Sequence, residues 1–197
     1  VASLVGSEMC IRDREDIVEL LEIGVDFIGF NLLNESKRIV NIDWALEMTH
    51  KYQLNHKSVF LVDCEQPEFQ RLKNVTSHNL QIYNFHEIPI VSNNLFIPVN
   101  ATFLKQLEQP HSRKKKNHRY LIDNMEGALG GTGEKFDWSN LHKFDLSEVM
   151  LAGGIGTEDI NFLKDLNVWG IDVNSKFETA PGIKNHDLLN NLRNVNE

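Results

Sequence analysis

Two loops in this chain carry residue types suited to holding a phosphorylated molecule. The stretch Tyr120 to Trp138 joins a short apolar strand, Tyr120 to Ile122, to an acid at its end, Asp123, and then to the turn Gly130-Gly131-Thr132-Gly133. Glycines without Cβ let backbone N–H groups converge on an anion, and a helix beginning near Trp138 adds the partial positive charge of its N-terminus. A second turn, Ala152-Gly153-Gly154-Ile155-Gly156, follows the apolar Val149 to Leu151. Taken alone, such a glycine cluster equally describes a surface loop, and an acid closing a strand equally describes a turn former.

Composition limits what can position these loops. The 197 residues are 41% hydrophobic and 24% charged, which suits one sizeable core in a single domain spanning 1–197. No apolar run reaches the roughly 20 residues of a membrane span, and the first residues lack the order of a secretory signal. The expectation is a cytoplasmic protein with no membrane partner. Two cysteines, Cys10 and Cys64, make no disulfide framework and fit a reducing compartment, leaving a catalytic thiol open. A net charge of −8 argues against a nucleic-acid surface. The basic run Arg113 to Lys116 reads as a solvated connection, since no aromatics interleave it.

Strand-like and helix-like patterns alternate along the chain. Ile17, Val18, Leu20, Leu21 and Ile23 have helical spacing behind Arg14-Glu15-Asp16, and Gly24 follows as a stop. Asp43 is the expected cap of a helix from Trp44 to Tyr52, Pro67 sits in the first turn of a third, and Thr157 is the expected cap of a later one. Seven strands start near Val25, Ser58, Asn79, Leu95, Tyr120, Val149 and Val168. Pro89 and Pro98 leave no room for a long helix between the strands at Asn79 and Leu95. The alternation implies parallel strands, as an open doubly wound sheet or a (β/α)8 barrel. Glycine turns after the late strands favour the barrel, with an eighth strand before Cys10 and the fourth helix shortened or missing.

From about Glu15 to Asp187 the chain resembles the phosphoribosylanthranilate isomerases. Four stretches carry the likeness: Asp26 to Phe30 with Glu35 to Val40; Leu121-Ile122-Asp123 with Gly130 to Gly133 and Phe136-Asp137-Trp138; Leu151 to Ile155; and Gly170 to Ser175 with Pro181-Gly182. The resemblance implies a (β/α)8 barrel that performs an Amadori rearrangement of a small phosphosugar, without metal or cofactor, as a monomer or homodimer. It makes Asp123 the general acid and Cys10 the general base, and it gives Arg38 the substrate carboxylate. The phosphate falls to Gly131, Thr132, Gly133, Gly153, Gly154 and Ser175, and Asp172 lies beside them. To act as an acid near neutral pH, Asp123 needs burial or a neighbouring negative charge, which Asp172 could supply.

The chain also departs from the family. Glu8-Met9-Cys10-Ile11 stands where Lys-Ile-Cys-Gly is usual, Tyr83 replaces a histidine, Gly156 an asparagine and Lys176 a glycine. Val5 to Arg14 resembles a translated sequencing-adapter stretch, so a second reading takes residues 1–14 as non-native. Two further functional readings stay open: a catalytically impaired phosphosugar-binding barrel, and an aminoaldose isomerase of histidine biosynthesis. The latter lacks its repeated phosphate motif before residue 100.

Overall fold

The computed structural model describes residues 7–100, 117–123 and 138–196. Eight parallel strands close into a barrel in chain order: β1 (Ser7–Cys10), β2 (Phe27–Asn31), β3 (Ser58–Asp63), β4 (Asn79–Tyr83), β5 (Leu95–Val99), β6 (His118–Ile122), β7 (Val149–Leu151) and β8 (Gly170–Asp172). The expected barrel is therefore present. The stretch before Cys10 supplies the closing strand: Glu8 lies opposite Phe27 on β2 and opposite Asp172 on β8. A hairpin of β9 (Glu178–Ala180) and β10 (Ile183–Lys184) follows β8.

Strand residues alternate between two apolar layers, as the period of two requires. Val59 and Leu61 of β3 pack inside the barrel with Phe96, Leu121 and Met150, whereas Phe60 and Val62 pack outward. The outward layer meets helices α1 (Arg14–Ile23), α2 (Ile42–Lys51), α3 (Pro67–Leu72), α4 (Ile160–Asp165) and α5 (His186–Asn196). Helix α1 buries Ile17, Leu20 and Ile23 at helical spacing. Its stop is Gly24, whose φ of 85° suits a residue without Cβ and whose N–H donates to the Leu20 carbonyl at 3.1 Å.

Two caps differ from expectation. Asn41, not Asp43, opens α2, its side-chain oxygen accepting from the N–H groups of Asp43 and Trp44 at 2.8 and 3.2 Å. Ile42 is already helical, so Asp43 falls in the first turn, where its charge complements the helix end. At the other cap, Thr157 lies inside a short 3-10 turn, Thr157–Asp159, and the Asp159 carboxylate accepts from Gly156 N–H at 2.9 Å.

Residues 84–94, between β4 and β5, form no helix. The segment covers the barrel with side chains instead: Phe85, Ile88 and Val91 pack against the core, while Ile90 is fully exposed. Buried Asn93 anchors its end, donating to the carbonyls of Val75 and His78 at 2.8 and 3.1 Å. Among the described residues no helix is long and apolar enough to cross a membrane.

Candidate active site

Parallel closure brings all eight strand C-termini to one end, where a cleft of about 360 Å³ opens. It brings together Cys10 from β1, Arg38 from the loop after β2, Asp123 after β6, Gly153 and Gly154 after β7, and Asp172 and Ser175 from β8 and its loop. Of the expected site residues, Gly131, Thr132 and Gly133 lie outside the described residues.

Cys10 ends β1 almost fully buried, and its N–H donates to the Asn174 side-chain oxygen at 2.9 Å. Burial pushes its thiol well above the ordinary range, and the charges of Glu8 and Asp172 push it further, while Lys184 and Arg38 act in the opposite direction. Asp172 is pushed up to about 7, first by burial and then by the charge of Asp123. One Asp172 oxygen accepts from Asn174 Nδ2 at 2.5 Å. The sequence led to the expectation that Asp172 would act on Asp123; the influence seen here runs from Asp123 to Asp172.

Below them Glu8 points into the barrel interior. It is 0% exposed, and neither carboxylate oxygen has a hydrogen-bond partner among the described residues. Burial, followed by the charge of Asp172, raises its pKa well above the carboxylate range, which favours the neutral acid. Gly29 on β2 makes room for this arrangement. A Cβ there would stand 2.8 Å from Cys10 Sγ and 2.9 Å from Glu8 Oε1.

Arg38 is held by a partner that the sequence did not reveal. Its Nε donates to Glu178 at 2.9 and 3.1 Å and its Nη2 donates at 2.6 Å, with the Glu178 side chain only 3% exposed. Nη1 takes no part in this fork. Burial opposes the charge of Glu178, but the Arg38 hydrogen bonds and Lys184 outweigh it and its pKa is lowered. Lys184, fully buried at its side chain, donates to Glu178 at 3.2 Å and to Asn174 at 3.1 Å. Glu178, Lys184 and Glu8 escaped the sequence reading. A signal existed for the first two, since they flank the Pro181-Gly182 turn and a hairpin there places them side by side.

Gly153 and Gly154 both adopt left-handed backbone, φ 91° and 65°, which other residues take up only with strain. Ser175 begins a 3-10 turn beside them. The far wall is Tyr83, whose hydroxyl accepts from Gln81 at 2.6 Å and whose pKa is driven up by burial, keeping it protonated. Cys64 lies partly buried against the outward core, its thiol pushed up to about 11 by burial.

A family model described as N-(5'phosphoribosyl)anthranilate (PRA) isomerase matches residues 7–195. The N-(5'-phosphoribosyl)anthranilate isomerase of Leptospira interrogans serogroup Icterohaemorrhagiae serovar copenhageni is 28% identical over 195 residues, covering 94% of this chain and 91% of that protein. The tryptophan biosynthesis protein TrpCF of Yersinia pestis is 30% identical over 176 residues, 86% of this chain; the chain spans 36% of that protein's length. Among solved structures, phosphoribosyl anthranilate isomerase from Thermus thermophilus aligns with a TM-score of 0.71 at 22% identity, over 96% of this chain and 97% of that one, a likeness of fold.

Proposed function

The chain belongs to the N-(5'-phosphoribosyl)anthranilate isomerase family, and from that premise we propose that it converts phosphoribosylanthranilate to 1-(o-carboxyphenylamino)-1-deoxyribulose 5-phosphate in tryptophan biosynthesis. The observation that carries this reading is the cleft itself, where the Cys10 thiol and the Asp123 carboxyl, from strands on different sides of the barrel, meet the glycine turn Gly153-Gly154. Asp123 donates a proton to the ribose ring oxygen as the ring opens to a Schiff base. Cys10, as thiolate, takes the C2 proton, and the resulting enolamine tautomerises to the ketone. Gly153, Gly154 and Ser175, with Gly131, Thr132 and Gly133, bind the phosphate through backbone N–H groups. Arg38 receives the anthranilate carboxylate through Nη1 while Glu178 fixes the rest of its fork. Asp172, itself raised by burial and by the charge of Asp123, places a second carboxyl beside the acid. The proposal further includes a cytoplasmic setting and a monomer or homodimer.

One observation favours the alternative of a phosphosugar-binding barrel with impaired catalysis. Burial, Glu8 and Asp172 all hold the Cys10 thiol protonated, which weakens it as a base. Loss of phosphoribosylanthranilate fluorescence with purified protein separates the two. Isomerase activity predicts turnover that falls about 10²–10⁴-fold in both Asp123→Asn and Cys10→Ser. Absence of turnover in the unsubstituted protein, together with binding of the reduced product, identifies the impaired barrel.

A further inference from the structure

Lys184 belongs to no role yet assigned, although its ammonium is buried beneath the cleft. It comes from β10, beyond the eight barrel strands, and it donates to Asn174 Oδ1 at 3.1 Å and to Glu178 Oε1 at 3.2 Å. Asn174 is the hub. Its oxygen also accepts the backbone N–H of Cys10 at 2.9 Å, and its amide donates to Asp172 at 2.5 Å. Glu178 in turn holds Arg38. A continuous set of bonds therefore runs from the arginine facing the substrate carboxylate, through Glu178, Lys184 and Asn174, to the backbone of the thiol. We propose that Lys184 is a positioning residue for the isomerase reaction, fixing Asn174, and through it Cys10 and Asp172, while supplying the positive charge beneath the thiol.

The charge balance around Cys10 supports this role. Glu8 on its own strand, Asp172 on β8 and Asp123 after β6 face the same region as negative or neutral carboxyls, with Tyr83 on β4 protonated. The opposing cations are Lys184 and Arg38, and Arg38 is committed to Glu178 on β9. Lys184 also acts on Asp16 of α1, behind the hairpin. Burying an ammonium is costly unless its partners are well placed, so the arrangement links hairpin geometry to the strength of the base. Asn174 alone could not do this, because an amide oxygen shared between two donors has no charge of its own to oppose Glu8.

The inference rests on the isomerase reading but has a readout independent of turnover. In a Cys64→Ser background Cys10 is the only thiol, and its rate of alkylation by iodoacetamide follows the thiolate fraction. Lys184→Met is expected to slow alkylation at about pH 8 by about tenfold and to move the rate–pH curve to higher pH. With phosphoribosylanthranilate, kcat is expected to fall roughly 10- to 100-fold while KM changes by less than about threefold. Should Lys184→Met fail to fold, Lys184→Gln keeps an N–H donor without the charge and is measured in the same way. An alkylation curve that superimposes on the parent, or a loss confined to KM, overturns the proposal. If the parent itself shows no turnover, the isomerase reading fails, and the alkylation curve still decides the role of Lys184.

Discussion

Glu8 is the residue whose chemistry fits its surroundings least. A buried carboxyl without hydrogen-bond partners among the described residues stays protonated in the folded chain and ionises when the chain unfolds. Its folded pKa is raised, so the folded state binds more protons, and stability falls as pH rises from the ordinary carboxylate value through the folded one. Asp172 behaves likewise from about 4 to about 7, and Asp16, pushed up to about 6 by burial, adds to the slope. Glu178 runs the other way, losing stability only as pH falls through its lowered pKa. The thermal midpoint is therefore expected to drop between about pH 5 and about pH 8. Glu8→Gln removes one of the titrating groups, and calorimetry should show a shallower drop; an unchanged slope would remove Glu8 from the account. Arg38→Lys tests the other end of the bond chain. A lysine cannot reproduce a fork, so KM for phosphoribosylanthranilate is expected to rise about tenfold or more in steady-state assays.

At the scale of elements, the segment between β4 and β5 shows how a barrel does without a helix. Asn93 meets buried carbonyls at the end of α3 and the entry to β4, and Asn93→Ala leaves them without that donor. Urea unfolding is expected to show a loss of roughly 1–3 kcal/mol. Ile90→Ser, on the fully exposed side chain nearby, should stay within about 0.5 kcal/mol of the parent. The sequence made most of this framework legible. Strands β3, β4 and β5 begin at Ser58, Asn79 and Leu95 as read, because short apolar runs bounded by turn residues leave few alternatives. Strand β1 was hidden for a physical reason: Glu8 occupies an interior position, so no apolar alternation marks the stretch before Cys10. The Asn41 cap was missed because Asn and Asp stand two residues apart and either can close a helix start. The Pro181-Gly182 turn encodes the pairing of Glu178 with Lys184, but their meeting with Arg38 and Asn174 is tertiary and no local pattern encodes it.

The whole molecule depends on one closure. Strand β1 completes the ring between β2 and β8, so a chain lacking residues 1–10 would present two unpaired edges of parallel sheet. Such a truncation is expected to lose cooperative unfolding and to associate, as circular dichroism melts and size-exclusion chromatography would show; a monomeric, cooperatively melting product would contradict this. The Cys10 backbone reaches its Asn174 partner across 164 positions of sequence. During synthesis β1 emerges before the other barrel strands and cannot pair with β8 until β8 has emerged. Contacts of such separation form late and slowly. Secondary structure should consequently return early on refolding, with the thiol buried only in the last phase. The proposed base is thus a clock for completion of the barrel: the Cys10 thiol reaches its buried place beside Asn174 only when β1 has closed the ring against β8.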